Sequence, residues 1–281
     1  MTAHYLWRRL VNALMLAITA LSAALAVLAL VAVLGYVAVN GIAALSLDFF
    51  TNLPTPVGVP GGGIANAMAG TLVIIGLATL FALPIGLGAG IYLSEFGDGR
   101  FADIVRYLAD VLSGVPSIVM GIFAYVLIVA QQKHFSALSA GFALGVMMLP
   151  AISRTTEEML RLVPAALREG GLALGLPRWR VIVSVVLPAA AGGVTTGVAL
   201  AIARVAGETA PLLFTAFGNP FWNLDVTQPM AALPHTLFTY AISPYDDWHR
   251  QAWGAALVLA ALMLLASFLA RWLGQRRVDT M

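Results

Sequence analysis

Apolar residues along this chain fall into long runs separated by short polar or charged intervals. Residues 13–39 contain no charged side chain, and a membrane-crossing helix needs about 20 such apolar positions. Five more runs follow, over 68–93, 111–131, 135–153, 189–217 and 252–270. The pattern predicts a single all-α, polytopic membrane domain with six transmembrane helices over residues 1–281. Pro84 and several glycines interrupt the second run, and Pro116 stands near the start of the third. Between the runs, 40–66 reads as a polar loop with Pro54, Pro56 and Pro60, and 95–110 as a charged loop with Arg100 and Arg106. Lys133 and His134 mark a short turn, while 218–251 is a wide loop whose portion 230–240 suits a short interfacial helix.

Composition narrows the class. Apolar residues make up 60% of the chain and charged residues 10%, which excludes an ordinary soluble domain. The first apolar run is too long for a cleaved signal peptide and is expected to remain as a helix. Cysteine is absent, so disulfides, thiolate metal sites and cysteine nucleophiles are excluded. His4, His134, His235 and His249 share no metal-ligand spacing. Gly61, Gly62 and Gly63 lack the Gly-Lys-Ser/Thr that a phosphate loop requires.

Where the charges lie sets the orientation. With six spans, one side receives Arg8, Arg9, Arg100, Arg106, Arg154, Arg161, Arg168, Arg178, Arg180, Arg271, Arg276 and Arg277, twelve of the 15 basic residues. The other side receives Lys133 and Arg250, and Arg204 falls within a span. Basic residues mark the cytoplasmic side, so both termini and the interval 154–188 are expected in the cytoplasm.

That interval has its own punctuation. Pro164 can open a short helix, because its missing N–H would lack an intrahelical partner there. Gly175 can close the helix in the left-handed conformation, and Pro177 suits the first turn of a second one. Gly170 and Gly171 weaken the first helix but allow another backbone to come close. Glu169, Gly175, Val185, Leu187 and Pro188 then stand at the spacings of the cytoplasmic loop of ABC importer permeases, which this stretch resembles. Gly170 and Gly171 replace the two alanines usual in that family. The resemblance implies a type I importer (MetI-like) permease fold, in which Glu169, Gly170, Gly171, Gly175, Val185, Leu187 and Pro188 couple the chain to an ATPase.

A charge inside a span costs about 2.5–3.5 kcal/mol on insertion scales, so Arg204 and Glu208 require a reason to be there. Four residues apart, they share a helix face and can pair. Pro211 cannot donate to the Gly207 carbonyl, which predicts a bent or open helix at that point. Gly207, Thr209 and Thr215 suit an interior wall better than a lipid-facing one. Arginine points to an anion, since its planar guanidinium makes paired hydrogen bonds to phosphate-like oxygens. The neighbouring carboxylate neutralises it at rest and can accept a hydrogen bond from a protonated oxyanion. No set of residues suggests bond-breaking chemistry, and a transport subunit without its own ATPase is expected.

The stretch 203–216, with Gly61–Asn66, Ser113–Ser117, Leu233-Pro234 and Ser243–Trp248, resembles the PstA family, permease subunits of bacterial phosphate ABC importers. That resemblance covers about residues 40–253. It implies that Arg204, Glu208 and Thr209 line a phosphate pathway in the bacterial inner membrane. It further implies a PstC-like sister permease, a PstB-like ATPase dimer carrying ATP and Mg, and an extracytoplasmic phosphate-binding protein, with no cofactor or nucleic acid bound by this chain. The rival readings are a sulfate or molybdate permease, a secondary anion transporter and a non-transporting membrane subunit.

Overall fold

The computed structural model describes residues 2–59 and 61–278, and its elements are helical throughout. Pro60 lies outside the described residues, as do the side chains of the C-terminal arginines Arg271, Arg276 and Arg277. In order, the helices are α1 (Thr2–Ile42), α2 (Leu47–Thr51), α3 (Ala65–Glu95), α4 (Arg100–Gly114), α5 (Ser117–Gln132) and α6 (Ala137–Arg161). There follow α7 (Ala165–Ala173), α8 (Arg178–Ala206), α9 (Ala210–Thr215), α10 (Leu233–Ala241) and α11 (Asp246–Val278). Among the described residues, α1, α3, α6, α8 and α11 are long and apolar enough to cross a membrane, and the bent pair α4 and α5 brings the count to as many as six.

The α3–α6 pair forms the centre of the bundle. Gly86 and Gly90 on α3 stand four apart, as do Gly141 and Gly145 on α6. A Cβ built at Gly86 would lie 2.8 Å from the Ile152 side chain, and one at Gly145 would lie 2.6 Å from the Phe81 ring. In lipid, burial of apolar surface drives little association, so close backbone approach and dispersion contacts hold such helices together. Ala78, Ala82, Leu144, Met148 and Ile152 fill the resulting seam and are almost wholly buried. Of the glycines expected to interrupt the second run, Gly86 and Gly90 thus belong to its packing surface, whereas Gly76 and Gly88 face open space. Pro84 sits inside an unbroken α3, and Pro150 likewise inside α6. Helices tolerate this in a membrane where neighbours satisfy the freed backbone groups.

Several boundaries differ from the sequence expectation. The expected charged loop 95–110 is largely an amphipathic helix, α4, whose direction changes by 105° at the junction with α5. Pro116 explains the break: it forces Val115 into an extended conformation (φ −72°, ψ 129°). The third span is therefore shortened to α5, about 24 Å at 1.5 Å per residue. Helix α6 runs on to Arg161, well past the expected end at Ser153. Helix α8 begins at Arg178 and passes through Pro188 without stopping. A single wide turn over Ile182–Val186 makes this possible, with the Leu187 N–H donating five residues back to the Ile182 carbonyl. Pro188 then has no four-residue bond to complete, and its ring avoids the Ser184 carbonyl.

On the opposite side of the bundle, α10 packs along α3 and α11, with Pro234 in its first turn. The Thr71 hydroxyl of α3 accepts the Leu233 N–H at 2.8 Å and pins the start of α10. Helix α1 touches α11, where Tyr36 and Trp253 meet edge to face at 5.2 Å. Most of α1 is apolar and exposed all round, a surface suited to lipid or to another chain.

Candidate functional site

Arg204 occupies the last turn of α8, where a cation complements the helix dipole. Its side chain is exposed, and it borders a small cavity of about 30 Å³. Leu112, Ser113 and Val115 from the α4–α5 break form one wall, and Met147, Pro150 and Ala151 of α6 another. The helix stops at Ala206, and α9 does not begin until Ala210, so the expected opening before Pro211 is present. Glu208 lies in that gap, half-buried, with its N–H donated to the Val205 carbonyl at 3.1 Å.

Among the described residues no ion pair joins Arg204 to Glu208. The sequence expectation of a pair on one helix face fails for a physical reason: Glu208 is beyond the helix end and the four-residue geometry no longer applies. Thr209 lies in the same gap, and its hydroxyl faces the Pro234 carbonyl of α10 at the long distance of 3.5 Å. Thr215, buried, donates its hydroxyl to the Pro211 carbonyl at 2.8 Å, and its own carbonyl accepts from Ser136 and Ser139.

The second candidate region is the interval after α6. Pro164 caps α7, as expected, and Gly175 has φ +79° immediately beyond the helix end. Around that glycine, Gly175 N–H donates to the Leu172 carbonyl (2.9 Å) and Leu176 N–H to the Gly171 carbonyl (3.3 Å). This is the paired closure that a left-handed residue permits. Gly170 faces open space, whereas a Cβ on Gly171 would come within 3.0 Å of Val181. Close packing thus rests on Gly171 alone. Glu169 is exposed, as are the apolar side chains of Leu172, Leu174 and Trp179. Val185 and Leu187 turn the other way and pack with Val163, Val186 and Ala190. Pro188 is half-buried within α8.

Sequence reasoning missed the charge contacts beneath α7. Glu95 and Glu157 are buried, yet each meets arginine: Arg168 at 2.8 Å for the first, Arg106 (2.9 Å) and Arg161 (2.7 Å) for the second. It also missed a cavity of about 430 Å³ on the far side of the bundle, lined by Thr55, Asn66, Phe217, His235, Tyr240 and Trp248. Burial there pushes the His235 imidazole below its usual range. The forward signals were the charges themselves and the four-residue spacing of Glu157 and Arg161, since Arg168 and Arg106 are distant in sequence from the carboxylates they meet.

Residues 82–279 match the family described as "binding-protein-dependent transport system inner membrane component". The chain is therefore a membrane component of that transporter class. Its relatives are more specific. It is 43% identical to the phosphate transport system permease protein PstA of Yersinia pestis, over 94% of this chain and 90% of that one. It is 46% identical to the protein of the same name in Xylella fastidiosa strain 9a5c, over 96% and 94% respectively. The chain belongs to the PstA family of permease proteins. The fold is also that of a solved inward-facing MetNI methionine ABC transporter, with a TM-score of 0.57 at 17% identity, covering 76% of this chain and 94% of that one.

Proposed function

We infer that this chain is one permease half of an ATP-driven importer that moves inorganic phosphate across the bacterial cytoplasmic membrane. The observation that carries the reading is Arg204. It is a permanent cation at the broken end of an apolar helix, exposed at the edge of a cavity and bridged to no carboxylate among the described residues. A guanidinium so placed can offer two parallel N–H groups to an oxyanion. The relatives, named as phosphate transport system permeases, supply the identity of the anion. Because Arg204 faces outward from this chain, the pathway lies between it and a PstC-like sister permease. Glu208, in the adjoining gap, and Thr209 offer hydrogen-bonding groups along the same route. Glu208 competes for the guanidinium once the helix ends shift, which keeps the site weak enough to release its ion.

ATP and Mg reside on a PstB-like ATPase dimer that docks on α7 in the cytoplasm, where both termini also lie. The exposed side chains of Glu169, Leu172, Leu174 and Trp179 suit such docking, and Gly175 ends α7 in a left-handed conformation. A phosphate-binding protein delivers the anion to the loops around Val57 and Asn219. The test is reconstitution of the complex that co-purifies with this chain in mild detergent. Radiolabelled phosphate uptake should require ATP and resist competition by sulfate and molybdate. Equal competition by either anion, or uptake driven by an ion gradient without ATP, would overturn the reading.

A further inference from the structure

The C-terminal end of α3 gathers the densest charge contacts in the described chain. Glu95, its last residue, has a side chain only 6% exposed. Arg168 of α7 approaches it with Nε at 3.2 and 3.3 Å from the two carboxylate oxygens and Nη2 at 2.8 Å from Oε1. The same guanidinium donates to the carbonyls of Leu160 (2.7 Å) and Val163 (2.5 Å), which lead from α6 into α7. Arg178, at the start of α8, donates to the Glu95 backbone carbonyl at 2.7 Å and lies 4.8 Å from the centre of the Phe96 ring. The chain before α7, α7 itself and the chain after it therefore all converge on the last turn of α3.

A buried carboxylate is held to its cation by more than their mutual attraction, because separation leaves the charge uncompensated in a poorly solvated place. Arg168 and Glu95 must then move together or part at considerable cost. Helix α3, in turn, is keyed to α6 through close glycine contacts and cannot slip freely. We propose that the Glu95–Arg168 pair is the joint that transmits displacement of α7 to α3 and hence to the membrane bundle. Glu95 and Arg168 are positioning residues: neither touches the transported ion. This inference rests on the reading of α7 as the ATPase docking helix. A contrasting buried carboxylate is close by. Glu157, also 5% exposed, is held by Arg106 of α4 and Arg161 of α6, and neither partner belongs to α7.

The discriminating quantity is the number of ions transported per ATP hydrolysed by the reconstituted complex. Glu95→Gln and Arg168→Gln should each lower that ratio by about fivefold or more, the lower bound typical of a coupling energy between sites. Arg168→Lys, which keeps the charge without the planar fork, should restore part of it. Glu157→Gln should reduce the yield of complex but leave the ratio of the assembled fraction at the native value. Should Glu95→Gln assemble poorly, the ratio is read on Arg168→Lys in the assembled fraction, where a native value overturns the joint. The joint is equally overturned if Glu95→Gln keeps the native ratio, or if Glu157→Gln lowers it as much. If the native complex moves another anion, the same ratio is taken with that anion. Failure of the phosphate reading then stays separate from failure of the joint.

Discussion

Two sets of charges in this chain are handled in opposite ways. At the end of the bundle that carries α7, Glu95 and Glu157 are buried and each is met by arginine, with spare donors turned to the carbonyls of Leu93, Gly97, Leu160 and Val163. At the α8–α9 break, Arg204 in the last turn of α8 and Glu208 in the gap beyond it form no ion pair among the described residues. The first arrangement is self-sufficient and fixes helices against one another. The second is incomplete within the chain, which is what a site for a passing ion or a neighbouring subunit requires.

The sharpest way to break this contrast is Arg204→Gln. The amide keeps a donor but loses the charge and the fork. Loss of a charge-assisted interaction of about 1.5–3 kcal/mol on a desolvated anion corresponds to uptake lowered by about 10- to 150-fold. Assembly with partner subunits should persist, because among the described residues the Arg204 side chain is exposed and joins no ion pair. Uptake of labelled phosphate and the yield of co-purified complex are the two readouts. Loss of both together would make Arg204 a structural residue. Recovery of normal uptake by the exchange Arg204→Glu with Glu208→Arg would also count against a pathway role.

The opposite outcome is expected from Arg106→Gln. Arg106 binds Glu157 and caps the Leu93 and Gly97 carbonyls at the end of α3. Arg161 remains as a partner for Glu157, so the carboxylate is not wholly abandoned. A loss of about 2 kcal/mol is expected for unsatisfied buried groups of this kind. It should appear as a lower denaturation temperature of the detergent-solubilised complex, with transport per assembled complex unchanged. A variant as stable as the native chain would mean that the paired charges contribute little to the architecture.

How far these two regions were legible in the sequence differs for related reasons. Six apolar runs were plain because the bilayer sets a minimum length that few soluble segments reach. The break near Pro211 and the left-handed Gly175 were also legible, since proline and glycine restrict the backbone locally. Helix α4 was not. Asp103, Arg106 and Asp110 are interspersed with Phe101, Ile104 and Leu108, so charge was read as loop where it was one face of an amphipathic helix. Continuity through Pro188 was hidden because it depends on a wide turn made by the residues before it. Arg204 announced itself as a charge in an apolar run, but its separation from Glu208 followed from where the helix ends. Arg161 stands four residues after Glu157 and was within reach of the helical i,i+4 rule, but Arg168 for Glu95 and Arg106 for Glu157 were illegible, being 73 and 51 residues away in the chain.

His235 represents a third solution, and it yields the smallest of the expected effects. It lies on α10 against a cavity whose lining contains no aspartate, glutamate, lysine or arginine. Its ring packs so near Gly218 that a Cβ there would stand 2.8 Å away. With no partner to compensate a charge, burial lowers its pKa, and the imidazole remains neutral in the folded chain. The sign follows directly. Unfolded, the group takes up its proton near pH 6.5, whereas folded it does so only at lower pH. Its contribution is therefore fully present above about pH 6.5 and is lost as the pH falls toward the folded value. The denaturation temperature of the complex should decline between pH 7.5 and pH 5.5, and His235→Gln should make that decline shallower. Other groups titrate in the same range, so the difference between the two profiles is the quantity that matters. Profiles of identical slope would mean that the cavity tolerates the imidazolium, and that burial of a neutral imidazole is not among the ways this chain manages its ionisable groups.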